Sequence, residues 1–527
     1  MVRSESMMAG AATCLLAAVL LLAAGQPARC EQQAGAGFVR TDGRWLVDAQ
    51  GRALMLHGVN LAASAKAPPF LPWQSKEEVL ALRKLGFNSV RYLIVWEAVE
   101  PQPGRYDDAY LDQVAERLQW CRQAGLRVVL DMHQDLYARK YGGDGAPAWA
   151  CLADGLTHNP GSSGWFMGYL SPAVMRAFDN FYANKPTPDG VGILDRFVAM
   201  WQHVATRFRG DANVVGYDIL NEPAYGSDFN AVMAAIAVAA TKELGPEAAP
   251  LFSQTDMGAA VGKIVQALLQ KDVLFKVLDA ASPPAQQADR AKIQPFHDRL
   301  AAAIRAVDPH HVIFFDAPYG DMSGTRLLTA VEAPKDARGQ PLANVVFAPH
   351  FYDFSSDFNF PYAGTEEYLL KFLGRAKAAG DRMGVPTWFG EWGTWGGQAS
   401  RPDAPPLVRH HVDAMDILLC GWAYWEYGPD LPRVPFMSLL TRPYAEVIAG
   451  VPSRMRAADD RFELEFAPAP EGGETIIWVP PTLNADAKAE LKGGGSARVV
   501  RDADGLVHIT CPAGAQGCAV TIALSAK

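Results

Sequence analysis

Positive charge is in short supply. Lys and Arg number 48 against 57 Asp and Glu, for a net charge of −9. A nucleic-acid protein carries a basic face, so no nucleic-acid partner is expected. Cysteine is scarce, seven in 527 residues, and neither Cys nor the 11 His fall at metal-ligand spacing. No metal and no cofactor is expected. No Gly-x-Gly-x-x-Gly follows the first expected strand, which counts against a dinucleotide-binding sheet. The 47 Gly and 37 Pro are spread along the chain, which excludes collagen-like and low-complexity readings. What is plentiful is apolar material: hydrophobic residues make up 49% and charged residues 20%, enough for a large core and incompatible with dominant disorder.

The one long apolar run is N-terminal. Arg3 precedes an uncharged stretch from Met7 to Gly25 that ends in small residues. Residues 1–30 read as a secretory signal peptide with cleavage after Gly25 or Cys30, and the alternative is a membrane anchor of marginal length. Pro27, Ala28 and Arg29 before Cys30 do not make a lipoprotein site. The protein is expected to be secreted or periplasmic. In that setting Cys511 and Cys518, which flank a short loop between two strand-like runs, are a disulfide candidate. Cys121, on a helical stripe, and Cys420, at a strand start, read as core thiols.

From residue 53 onward the pattern alternates apolar run and amphipathic stretch. Strand-like runs fall at 53–58, 89–94, 127–132, 214–220, 312–316, 344–349, 386–390 and 420–425. Between them, Ser75 and Glu78 form a capping-box pair, and Leu111, Val114, Leu118 and Cys121 make a stripe ended by Gly125. Eight βα units predict a (β/α)8 TIM barrel over residues 31–440, with a doubly wound sheet as the alternative. Residues 38–56 read as hairpin strands. Two long gaps, 134–190 and the Ala-rich 224–290, leave the carboxyl ends of strands, where barrel enzymes place substrate loops. Residues 445–527 alternate with period two (Phe462, Leu464, Phe466; Val520, Ile522, Leu524) and predict a small all-β sandwich.

Two acids stand at strand ends. The fourth strand closes in Asn221-Glu222-Pro223 and the seventh in Gly390-Glu391-Trp392. Both then face the barrel mouth from opposite sides. Glycoside hydrolysis needs such a pair: one carboxyl held protonated to serve the leaving oxygen, and one ionised to attack the anomeric carbon. The bland alternative is two rim carboxylates in salt bridges.

On these residues the sequence resembles glycoside hydrolase family 5. Arg91 in NSVRY, His133 in LDMHQD, Asn221-Glu222-Pro223, His350 and Tyr352 in APHFY, Glu391 and Trp425 in AYWEY occupy the family's active-site positions in order. The resemblance implies Glu222 as acid/base and Glu391 as nucleophile. It further assigns Asn221 to the sugar 2-hydroxyl, Tyr352 and Arg91 to Glu391, His350 to the acid/base or leaving group, and Trp425 to stacking on a sugar. The segments DMHQDLYARKYGGDGAPAWA (131–150) and NLAASAKAPPF (60–70) are similar to the endoglycoceramidase subgroup, in which residues matching Lys66, His133 and Asp135 line the first sugar subsite. The insertion at 224–290 and the loop at 400–407 depart from that pattern.

The resemblance implies a secreted retaining β-glycosidase that acts on glycosphingolipids; contact with a membrane or micelle surface and a monomeric state are the accompanying expectations. The alternatives are a β-glucosidase or endoglucanase for a steryl glucoside or β-glucan, and a non-catalytic carbohydrate- or lipid-binding surface protein. Leu71, Phe166, Met167, Tyr169, Leu170, Phe178, Phe181 and Tyr182 are candidates either to cradle acyl chains or to pack beneath loops. Trp149, Trp165 and Trp201 are expected in the core. His297, His310 and His311 are expected to be structural or superficial, without acidic partners in sequence.

Overall fold

The computed structural model describes residues 37–158, 165–246, 257–318, 327–394, 396–494 and 496–527. The expected signal peptide lies outside the described residues. Among the described residues, no helix is long and apolar enough to cross a membrane.

Three short strands come first: β1 (Arg40–Asp42), β2 (Trp45–Val47) and β3 (Ala53–Leu54). Eight barrel strands follow: β4 (His57–Leu61), β5 (Ser89–Val95), β6 (Arg127–His133), β7 (Val214–Asp218), β8 (Val312–Phe315), β9 (Val345–Phe347), β10 (Trp388–Gly393) and β11 (Gly421–Trp425). They pair in parallel in the order β10-β11-β4-β5-β6-β7-β8-β9. Two parallel bridges, Phe347 with Thr387 and Phe351 with Trp392, close the ring. The expected first barrel strand at 53–58 is corrected: Ala53–Leu54 pairs antiparallel with β2, and the barrel strand begins at His57. The apolar run from Ala53 to Leu61 contains both strands, so composition alone did not show the break.

The remaining eight strands are β12 (Tyr444–Ile448), β13 (Gly450–Ala457), β14 (Arg461–Pro468), β15 (Gly473–Trp478), β16 (Leu483–Leu491), β17 (Arg498–Arg501), β18 (Val507–Cys511) and β19 (Cys518–Ala526). They form two antiparallel sheets, β1-β2-β3-β12-β15-β18-β17 and β13-β14-β19-β16. The first sheet takes strands from both ends of the described chain. The alternating apolar residues Phe462, Leu464, Phe466, Val520 and Ile522 are buried together with Ile477, Val507 and Ile509.

Helices cover the barrel as the apolar stripes require. The helix Lys76–Lys84 starts at a capping box formed by Ser75 and Glu78. The helix Asp108–Ala124 ends at Gly125, whose φ of 74° suits a residue without a Cβ. The Ala-rich insertion holds helices Phe229–Leu244, Met257–Gln270 and Leu274–Ala288.

Along β5 and β6 the side chains alternate. Val90, Tyr92, Ile94, Val128, Leu130 and Met132 pack outward in the main apolar core, so Arg91, Asp131 and His133 point into the barrel. Lower in the barrel, Val129, Val215, Phe314, Val346, Trp388 and Ala423 fill the interior in one cluster with Val39, Leu46 and Leu54 of the N-terminal strands. Two bulges adjust the alternation. One shifts the β6–β7 register between Val128 and Val129, and it leaves Asp218 opposite Asp131. The other shifts β10 against β11 between Phe389 and Trp392, at Glu391. Bulges beside active sites re-aim side chains in this way.

Away from the mouth, Arg442, just before β12, ion-pairs with Asp413 at 2.5 Å and with Asp416 on the helix Ala404–Ile417. All three residues are buried. Removing the cation leaves two carboxylates in a buried site. Arg442→Ala should therefore lower unfolding free energy by about 3–5 kcal/mol, read from the denaturant midpoint at unchanged slope. A loss under about 1 kcal/mol, the range of an exposed pair, would contradict a buried structural role.

Candidate active site

The centre of the barrel mouth is one guanidinium. Arg91 is fully buried. Its Nε donates to Asp218 Oδ2 at 2.9 Å, its Nη1 to Glu391 Oε1 at 2.5 Å and to Asn60 Oδ1 at 3.2 Å, and its Nη2 to Asn221 Oδ1 at 2.9 Å. Asp131 Oδ1 lies 2.8 Å from Nη2. A planar fork of five donors is suited to this geometry, and a lysine is not. The acids around Arg91 overcome its burial and hold it charged.

Glu391 takes its second hydrogen bond from Tyr352, whose hydroxyl donates to Oε2 at 2.9 Å. Burial keeps that phenol in its neutral, donating form. Burial also pushes the Glu391 carboxyl upward, while Arg91 pulls it back. Glu222 has no guanidinium in contact. Its Oε1 meets His350 Nδ1 at 2.9 Å. Burial, reinforced by the Asp135 carboxylate, pushes Glu222 up to about 8. Burial lowers His350 to about 4, so its ring is neutral near pH 7. The two glutamates thus share a pocket and differ in partners, and that difference separates an acid from a carboxylate.

Asn221 is held on both sides. Its Oδ1 accepts from Arg91, and its Nδ2 donates to the Gln134 carbonyl at 3.0 Å, which leaves one amide hydrogen for a ligand. His133 Nδ1 lies 2.8 Å from Asp131 Oδ2, and its ring stacks on Trp425 with centroids 5.5 Å apart. His133 Nε2 is buried without a hydrogen bond among the described residues. Burial, with Lys66 nearby, lowers its affinity for a second proton. Lys66 Nζ donates to Asp135 and sits 4.4 Å over the Trp425 ring. Against burial, Lys66 holds the Asp135 carboxyl below the usual carboxylate range. All ten sequence-predicted side chains of the mouth therefore form one connected set.

Sequence reasoning missed several members. Asn60, Asp131 and Asp218 hold Arg91. Asp316 Oδ2 accepts the Glu222 N–H at 3.3 Å and lies 3.6 Å from His350 Nδ1. Asp144 is buried 4.0 Å from Lys66, and burial beside Asp135 raises its carboxyl. The signal for Asp131 was present, since it lies two residues before His133 on one strand and so shares its face. Asp144 could be read only from GGDG: a Cβ on Gly143 would fall 1.7 Å from the Asp135 carbonyl oxygen, so glycine lets Asp144 pair back on Asp135. Side-chain atoms of His133, Asp135 and Asp144 converge within 4.8 Å, a spacing a metal ion could bridge. The Lys66 ammonium is already seated on Asp135, and it supplies positive charge there.

Other expectations change. His311 does have an acidic partner, Asp308, 2.6 Å from Nδ1 and three residues earlier in sequence. His297 is fully buried, and His310 stacks on Phe38. Tyr169, Phe178 and Phe181, from within the 134–190 segment, are buried in the main apolar core, which favours packing over an acyl cradle for them. Trp201 is buried and donates to the Ile219 carbonyl, and Trp149 is half-buried. The side chains of Trp165 and Phe166 lie outside the described residues. Cys511 and Cys518 are free, buried thiols rather than a disulfide. β18 and β19 lie in different sheets, and the two thiols face one another in the core between them, close enough to hydrogen-bond.

The Glu222 environment makes a direct titration test. The infrared carbonyl band removed by Glu222→Gln should persist on raising pH and disappear around pH 8, because burial favours the neutral acid. Disappearance of that band by pH 5 would contradict the assignment.

The cellulase (glycosyl hydrolase family 5) pattern matches residues 47–430. Endoglycoceramidase I of Rhodococcus hoagii is 27% identical over 498 residues, covering 91% of this chain and 86% of that protein. The solved Endo-glycoceramidase II from Rhodococcus sp. in its ganglioside GM3 complex superposes with a TM-score of 0.68 at 26% identity, over 92% of this chain and 100% of that one. A shorter stretch, 22% of this chain and 19% of the relative, is 31% identical to an ergosteryl-beta-glucosidase of Saccharomyces cerevisiae. The pattern match covers well over half of the sequence and includes both mouth glutamates, and the chain belongs to glycosyl hydrolase family 5 as a glycoside hydrolase built on a (β/α)8 barrel.

Proposed function

We propose that this hydrolase is a retaining β-glycosidase that cuts the β-glucosyl bond between oligosaccharide and ceramide in glycosphingolipids. The observation that carries the mechanism is the spacing of the paired acids. Carboxylate oxygens of Glu222 and Glu391 come within 4.8 Å of each other. Retaining pairs stand about 5–5.5 Å apart, whereas inverting pairs need about 6.5–9.5 Å to admit a water.

In the first step a Glu391 oxygen bonds to the anomeric carbon. The bond to the aglycone oxygen breaks, and the Glu222 proton passes to that oxygen as it leaves. In the second step Glu222, now ionised, takes a proton from water. The water oxygen bonds to the anomeric carbon and Glu391 departs. Arg91 and Tyr352 stabilise the Glu391 carboxylate before attack and after release. The free Asn221 amide hydrogen is placed to meet the sugar 2-hydroxyl. Lys66, Asp135 and His133 offer donors and an acceptor to the remaining hydroxyls.

The lipid half of the proposal draws support from similarity to endoglycoceramidases over nine-tenths of the chain. The N-terminal apolar run supports export to the periplasm or medium, where a substrate held in a micelle or membrane would be met at its surface. The ergosteryl-beta-glucosidase relative favours a second reading, cleavage of steryl β-glucosides.

Detergent-dispersed lactosylceramide, a steryl glucoside and cellotetraose distinguish these readings. The proposal expects free ceramide and intact lactose at the highest rate. Faster release of sterol supports the second reading. A preference for cellotetraose with no detectable ceramide would overturn the glycosphingolipid assignment and leave the family intact.

A further inference from the structure

Glu222 does not sit in a relaxed backbone. Its φ is 42°, in the left-handed region that non-glycine residues avoid. Such a conformation is unfavourable and persists only where its surroundings enforce it. The surroundings here converge on one side chain from the neighbouring strand's loop. Gln134 Nε2 donates to the Asn221 carbonyl at 2.9 Å and to the Glu222 carbonyl at 2.8 Å. Its Oε1 accepts the Tyr137 N–H at 2.8 Å. Its own carbonyl accepts from Asn221 Nδ2. Tyr137 and Leu136 are themselves left-handed, at φ 74° and 51°. The Tyr169 hydroxyl takes the Leu136 N–H at 3.1 Å and lies 3.5 Å from Gln134 Nε2.

Gln134 is 3% exposed, with both ends of its amide engaged, so it offers nothing to a substrate. A space for its stem is kept by Gly145, where a Cβ would fall 2.6 Å from Gln134 Cβ. Only an amide of this length joins the two strained segments. One end must accept an N–H, and the other must donate to two carbonyls. Glutamate has the same shape and loses those donors when ionised.

We propose that Gln134 is the positioning residue of the acid/base: it clamps the left-handed peptide at Glu222 and so aims that carboxyl at the leaving oxygen. The inference rests on the reading of Glu222 as the proton donor. It predicts a loss in kcat/KM that grows with the basicity of the leaving group, because the first step draws its proton from Glu222. General acid catalysis contributes about 10²–10⁴-fold, and a misplacement of about 1 Å is enough to lose about 10²-fold.

The test measures kcat/KM for aryl and alkyl β-lactosides of graded leaving-group basicity, for the wild type, Gln134→Glu, Gln134→Met and Glu222→Ala. Thermal unfolding is followed in parallel. In kcat/KM both Gln134 variants should lose about 10²-fold on the poorest leaving groups and less than about threefold on a dinitrophenyl lactoside. Lowering the pH should restore part of the loss in Gln134→Glu, because the protonated acid regains one donor. It should restore nothing in Gln134→Met. Equal losses on all substrates, or no loss, would overturn the proposal. Glu222→Ala separates the two claims. If it too lacks leaving-group dependence, the acid assignment fails and this inference with it. If it shows the dependence and the Gln134 variants do not, only the inference fails. Should Gln134→Met fail to fold, the pH reversal in Gln134→Glu decides alone.

Discussion

The buried Arg91 guanidinium is the constraint on which the rest of the site depends. It has no exposure to water and contacts five residues from four other barrel strands or their ends: Asn60, Asp131, Asp218, Asn221 and Glu391. Burying a cation this deeply is unfavourable unless its partners are themselves charged and well oriented. The partners are fixed because they need the cation, and the cation is fixed by the partners. Asn221 and Glu391, which face the substrate space, inherit that rigidity. A carboxylate and an amide held in this way require little reorganisation when charge develops beside them.

Around that centre, the two glutamates are distinguished by neighbours more than by burial. Glu391 has a guanidinium and a phenol on its two oxygens, and these favour the ionised form. Glu222 has no guanidinium in contact, and its burial beside the Asp135 carboxylate favours the acid. The strain at Glu222 is carried by the 134–146 loop. Its GGDG segment can turn back on Asp135 only because glycines stand at 143 and 145. One loop therefore delivers the Lys66–Asp135 pair's acid, the Asp144 carboxyl and the Gln134 clamp.

Much of this was legible in the sequence. The eight apolar runs marked the barrel strands, and the capping box at Ser75 and the Gly125 terminus marked helix ends. Asn221, Glu222, His350, Tyr352 and Glu391 followed apolar runs at the end where a barrel exposes side chains, and Arg91 lay within one. What could not be read was whatever depends on register. The bulges at β6–β7 and β10–β11 change which residues face inward, and no local composition announces them. Asp218 and Asp316 look like ordinary strand-end acids until the strands are laid side by side. The start of the first barrel strand was obscured by a continuous apolar run that serves two sheets. Cys511 and Cys518 were read from an export signal and loop spacing. Their packing as thiols between two sheets depends on which sheet each strand joins, and the loop sequence does not state that.

The central claim is that Glu391 attacks the anomeric carbon directly while Glu222 moves the proton. The configuration of the first sugar released tests it most directly. Proton nuclear magnetic resonance of a β-lactoside digest, recorded before mutarotation, should show the β-anomer of lactose appearing first, the signature of two displacements. An α-anomer formed first would mean a single displacement by water, and it would contradict the assignment of Glu391 as nucleophile.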